Sequence, residues 1–82
     1  MRILVTGGTG FVGTHVVHAL RAQDREVRLL VRDPRRAARH AGWGCELVVG
    51  DVTDPQALAR AVEGCGVVVH MVAIRRGRPE DF

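Results

Sequence analysis

Apolar residues along this chain fall into short runs separated by polar and glycine-rich breaks. Three runs, "RILVT" at 2–6, "EVRLLV" at 26–31 and "CELVVG" at 45–50, carry mostly branched aliphatics and are too short for helices. A fourth, "GVVVHMVA" at 66–73, has the same character. Such runs predict strands buried on both faces, the condition of a parallel sheet. Between them the period lengthens. From about Gly10 to Ala22, Val12, Val16 and Leu20 recur four apart, with Val17 and Ala19 beside them. That spacing predicts a helix with this stripe turned inward, and His15 and His18 as ordinary helix residues off it. "DPRRAARHAG" at 33–42 predicts a short helix: Asp33 caps it, Pro34 fits its first turn, Arg39 and His40 suit its negative end, and Gly42 stops it. The next helix lies in "DVTDPQALARAVEG", with Ala57, Leu58, Ala61 and Val62 as its apolar face and Gly64 as its end. Thr53 with Gln56 fits a capping box, and Asp54 with Pro55 fits a simple cap; the pattern does not separate them. The alternation β-α-β-α-β-α-β implies an α/β fold with right-handed crossovers and helices on both faces of the sheet.

Composition narrows the picture. The 82 residues predict one domain, with a net charge of +3 carried on the basic side by arginine alone, since lysine is absent. The arginines are scattered from Arg2 to Arg78, and aromatics make up only 4%, so no basic, aromatic-interleaved stripe marks a nucleic-acid surface. Cys45 and Cys65 are too far apart for a CxxC motif and have no Cys/His cluster around them; they are expected to be reduced thiols without a metal. The longest apolar run is too short to cross a membrane. With no signal-peptide pattern ahead of the first strand, the expected compartment is the cytoplasm. His70, inside an apolar run, is expected to be a core histidine bonded to backbone.

The break after the first strand carries the chemistry. "VTGGTGFVG" spaces Gly7, Gly10 and Gly13 three apart between a strand and a helix, inside a βαβ unit of about 30 residues. Gly7 permits the tight turn, Gly10 lets backbone approach a pyrophosphate, and Gly13 lets helix and strand pack closely. The helix then offers free N–H groups and a partial positive charge to phosphates, and no acidic residue occupies its first turn. Thr9, Phe11 and Val12 sit between these glycines and join them as candidate cofactor contacts.

These residues carry a resemblance. "VTGGTGFVG" resembles the TGxxGxxG signature of the extended and atypical short-chain dehydrogenase/reductases, and "GDVTDPQAL" is similar to the acidic turn after their third strand. "GVVVHMVA" resembles their fourth strand, and "HMVAIRRGR" looks closest to the atypical, epimerase-like branch that includes the NAD(P)H-binding accessory subunit of respiratory complex I. The resemblance spans residues 2 to about 76. It implies a partial Rossmann fold, a four-stranded parallel sheet of order 3-2-1-4, as the N-terminal dinucleotide-binding portion, residues 1–82, of a larger domain. It also implies that Asp51 and Val52 contact adenine and that Ala73 lies as a small residue against the cofactor.

Cofactor choice turns on the end of the second strand. An acid there binds the ribose 2′-OH of NAD, whereas an arginine suits the 2′-phosphate of NADP. Here the family's acidic position falls on Val31, followed by Arg32; Asp33 also fits the spacing, twenty residues after Gly13, but is expected to be occupied as a helix cap. Arg32 offers a planar, permanently charged fork for phosphate, so NADP is expected ahead of NAD. The Tyr-x-x-x-Lys pair used by catalytic members of these families has no counterpart, because the 82 residues contain neither Tyr nor Lys. The chain is therefore expected to hold the adenosine-pyrophosphate half of the cofactor without catalysing turnover alone. The alternative is a non-catalytic NADP-binding sensor or structural subunit. Its fourth strand, an apolar edge, is expected to need cover from a further C-terminal portion or a homodimer partner.

Overall fold

A computed structural model describes residues 1–71 and shows the alternating architecture. Strands β1 (Arg2–Thr6), β2 (Glu26–Val31), β3 (Glu46–Val49) and β4 (Cys65–His70) form one sheet of order β3-β2-β1-β4. All three pairings are parallel, with Thr6 opposite Leu30 on one side and His70 on the other. Helices α1 (Phe11–Ala22), α2 (Ala38–Gly42) and α3 (Pro55–Val62) connect the strands.

Strand alternation divides the core in two. Ile3, Val5, Val27, Leu29 and Val31 point to the face that buries Val17 of α1, with Ala37 and Cys45. Leu4 and Leu30 point to the opposite face, against Ala57 and Ala61 of α3. Both faces of β1 and β2 are thereby dry, which is why these strands read as unbroken aliphatic runs.

Several local expectations shift. The inward stripe of α1 is Gly13 and Val17, with Val16 and Leu20 half-buried, while Val12 is 62% exposed. The rotation of the helix is set by backbone contact at Gly13, which carries no side chain to advertise its burial. Between β2 and α2 the chain first makes a 3-10 turn over Pro34–Ala37, capped as expected by Asp33, whose carboxylate accepts the Arg35 N–H. Gly42 does not end α2; it is the last helical residue, and the reversal comes at Gly44, with φ +91°. Asp54, not Thr53, caps α3, accepting the Gln56 N–H with Pro55 at the first position. Val62 lies outside the apolar face of α3, which is narrower than expected.

His70 is also not a core residue. It is exposed on β4, where its Nδ1 meets the buried Thr6 hydroxyl at 2.5 Å, so its partner is a side chain rather than backbone. Among the described residues no strand lies beyond β4, and Val67 and Val68 there are exposed. Both cysteines are free thiols; burial pushes the Cys45 thiol up, partly countered by Arg21. No described helix is long and apolar enough to cross a membrane. No group of His, Cys, Asp and Glu among the described residues is placed to hold a metal.

Candidate dinucleotide site

Parallel strands bring the same end of every strand to one rim. Here the carboxyl ends of β1, β2 and β3 deliver the glycine turn, Arg32 and Asp51 to that rim. The turn is tightly held. Gly7 has φ +71°, and a Cβ there would run into the Met71 carbonyl oxygen, so only glycine fits where the chain leaves β1 beside the end of β4. A Cβ on Gly13 would overlap the Gly7 carbonyl oxygen and come within 2.8 Å of the Gly8 Cα. The first turn of α1 therefore lies directly on the loop, so the close approach at Gly13 is to Gly7 and Gly8 rather than to the strand itself. Gly10 is the N-cap, with no side chain capping the helix and no acid in its first turn. The amide groups at this helix end are left for an anion. Thr9 is half-buried on the rim. Phe11 is 83% exposed beside the ring of His15, and Val12 faces outward with it.

A cleft of about 380 Å³ opens beside the turn, lined by Thr9, Val31, Arg32, Asp33 and Arg36. The structure thus joins the glycine turn to the end of β2 in one concavity. The side chain of Arg32 is 80% exposed and lies 3.8 Å from an Asp51 carboxylate oxygen. An exposed pair at that distance contributes little and yields readily to a better anion. Asp33 is engaged elsewhere: its carboxylate accepts the Arg35 N–H at 3.0 Å and the Arg35 guanidinium at 3.1 and 3.2 Å. Those bonds from the guanidinium, then from the backbone N–H, hold its carboxyl below the usual range. Asp51 is likewise tied into a local turn, accepting the Thr53 N–H and hydroxyl, each at 2.9 Å. The Thr53 bonds lower its pKa first, and Arg32 adds a smaller effect. Val52 is exposed next to it, and Ala73 lies outside the described residues.

Two residues of this region escaped the sequence reading. Arg36 lines the cleft with Arg32, four positions earlier. The doubled arginine of "DPRRAA" was the available signal, but its orientation depends on the 3-10 turn. His40 is buried with Nε2 against the Gly8 carbonyl, and nothing in the pattern around it marks it as part of the turn.

Comparison with known proteins decides the family. Residues 7–81 match the family model described as NAD(P)H-binding. The chain belongs to this family. It falls within the extended short-chain dehydrogenase/reductase superfamily, with its NAD(P)-dependent oxidoreductases and epimerase-like proteins. It is similar to the photosystem II assembly factor Ycf39 of Cyanophora paradoxa, 39% identical over 69 residues, 84% of this chain and 22% of that protein. Among solved structures it resembles a short-chain dehydrogenase/reductase superfamily protein of Agrobacterium tumefaciens with bound NAD. That match is 43% identical with a TM-score of 0.74, covering 99% of this chain and 23% of the other. It also resembles AtPrR2 with NADP+ and (+)-pinoresinol, 34% identical, TM-score 0.78, covering 89% and 26%. The chain spans between 19% and 26% of the curated relatives it matches.

Proposed function

We propose that residues 1–82 form the N-terminal, cofactor-holding portion of a larger Rossmann domain in a short-chain dehydrogenase/reductase-type protein, with NADP preferred over NAD. The observation that carries the preference is the shared cleft. Thr9, from the glycine turn, and two arginines, Arg32 and Arg36, line one concavity at the end of β2. Among the described residues the one acid lining it, Asp33, already accepts three hydrogen bonds from Arg35.

In this reading the backbone N–H groups of the turn and of the first turn of α1 receive the pyrophosphate, with Gly7, Gly10 and Gly13 allowing close approach and Thr9, Phe11 and Val12 flanking it. Arg32 exchanges its long contact with Asp51 for charge-assisted bonds to the ribose 2′-phosphate, and Arg36 faces the same group. Asp51 and Val52 lie beside the adenine, and Ala73 is the small residue that the family resemblance sets against the cofactor. When bound, the cofactor supplies hydride transfer. The residues of this chain bind and orient it.

Titration with NADP+ and NAD+ tests the reading: the parent should favour NADP+, and Arg32→Ala should bring the two affinities together. An unchanged ratio would overturn the preference, and no binding of either would overturn the site. A second reading is a non-catalytic NADP-binding sensor or structural subunit, supported by the resemblance of "HMVAIRRGR" to the branch that includes the NAD(P)H-binding accessory subunit of respiratory complex I. A Tyr-x-x-x-Lys pair elsewhere in the full protein, with NADPH oxidation that depends on it, would remove that reading.

A further inference from the structure

His40 is the one buried histidine of the described chain and plays no part in the reading above. Its Nε2 lies 2.9 Å from the Gly8 carbonyl oxygen and 3.1 Å from the Thr14 hydroxyl. A carbonyl oxygen only accepts, so Nε2 must carry the proton; the other tautomer would set two lone pairs against each other. The Thr14 hydroxyl also donates to the same carbonyl, at 3.3 Å. Nδ1 is then a bare lone pair, buried without a partner among the described residues. A buried polar atom left unsatisfied carries a cost, and its retention points to use of the other ring nitrogen.

That nitrogen fixes a peptide plane. In a planar trans peptide the carbonyl and the following N–H point in opposite directions. Holding the Gly8 carbonyl inward, toward His40, turns the Thr9 N–H the opposite way, and Thr9 is itself a residue of the cleft lining. Among the described residues no acceptor meets that N–H. We infer that His40 is a positioning residue of the phosphate cradle. Reaching from α2 across to the turn, it locks the peptide between Gly8 and Thr9 so that the Thr9 N–H is set to donate to the cofactor pyrophosphate. Thr14 supports the same carbonyl from α1.

This role for His40 rests on the dinucleotide reading, and the experiment separates the two. Parent, His40→Leu and His40→Gln are titrated with NADP+, with thermal melts alongside and ¹⁵N spectra of the imidazole and of the Thr9 amide. The parent should show the proton on Nε2 and a Thr9 amide shift on adding NADP+. H40L should bind about tenfold more weakly, the order of one hydrogen bond, and lose that amide response. H40Q, whose amide can donate to the Gly8 carbonyl, should stay within about threefold of the parent. H40Q binding no better than H40L would reduce His40 to packing and overturn the proposal, as would H40L binding like the parent. A proton on Nδ1 in the parent would overturn it even if H40L fails to fold. A parent that binds no dinucleotide would defeat the site reading and the cradle role with it, while an Nε2 proton would still uphold the hydrogen bond.

Discussion

Arg28, inside β2, and Arg32, just past its carboxyl end, stand four residues apart, and the fold treats them in opposite ways. The Arg28 side chain is only 9% exposed. Its Nε donates to Glu46 at 2.5 Å, and one terminal nitrogen donates to the carbonyls of Ala61 and Glu63 at 2.8 and 2.6 Å. Those carbonyls close α3 and would otherwise lack intrahelical partners. Arg2 adds a looser contact to Glu46 at 4.0 Å, so the amino end of the sheet is a saturated network. Arg32, at the carboxyl end, is 80% exposed and among the described residues meets one carboxylate, at 3.8 Å. The same side chain is consumed by structure at one rim and left over at the other. In a parallel α/β sheet the leftover rim is where ligands bind, and the contrast marks that rim without reference to any relative.

The sharpest way to break the contrast is to remove the consumed charge. Arg28→Met should cost about 2–4 kcal/mol of folding stability, because the Ala61 carbonyl loses a buried donor, keeping only the weak Cys65 thiol, and the part-buried Glu63 carbonyl and Glu46 carboxylate lose theirs. Glu46 is half-exposed and water can take it over, which favours the lower end. Denaturant midpoints measure this, and a change under about 0.5 kcal/mol would mean that water replaces Arg28 freely. Arg32→Ala is the counterpart. It should move stability by less than about 0.5 kcal/mol while weakening NADP+ binding about tenfold and leaving NAD+ nearly untouched. A loss of stability comparable to that of R28M would erase the distinction between the two rims.

The strands, the glycine turn and the Asp33 cap were legible because each has a local signature: an aliphatic run, a spacing, an Asp-Pro pair; the order of the strands in the sheet has none and followed from the family resemblance. The cleft at the end of β2 was half legible. Arg32 follows a strand whose end can be placed, but Arg36 joins it only through the 3-10 turn, whose pitch no periodicity reports. The facing of α1 was misread because Gly13 is buried by the absence of a side chain, which a hydrophobic pattern scores as nothing. His70 looked internal because its run is apolar, yet β4 is the edge of the sheet among the described residues, and Thr6 supplies its bond. His40 looked like a helix-end cation. Its true partner is the Gly8 carbonyl, 32 residues away, a relation that topology creates and spacing cannot.

The smallest effect should come from acid. Asp51 titrates below its reference value of 3.8, and the Thr53 N–H and hydroxyl are the leading causes, with Arg32 last. A carboxyl whose folded pKa is depressed adds stability above its unfolded pKa and loses it as pH falls through the folded value. The contribution is therefore in place above about pH 4 and fades as the solution is acidified further. Since Thr53 outweighs Arg32, the acid limb of the stability curve should superimpose for R32A and the parent. Thr53→Val, which deletes the hydroxyl donor and keeps the backbone one, should flatten that limb slightly. Urea midpoints taken at intervals from pH 6 to pH 2 would register this. An R32A curve that departs from the parent more than T53V does would show Asp51 tied to Arg32 after all, and Arg32 would no longer be the unspent charge of the pair.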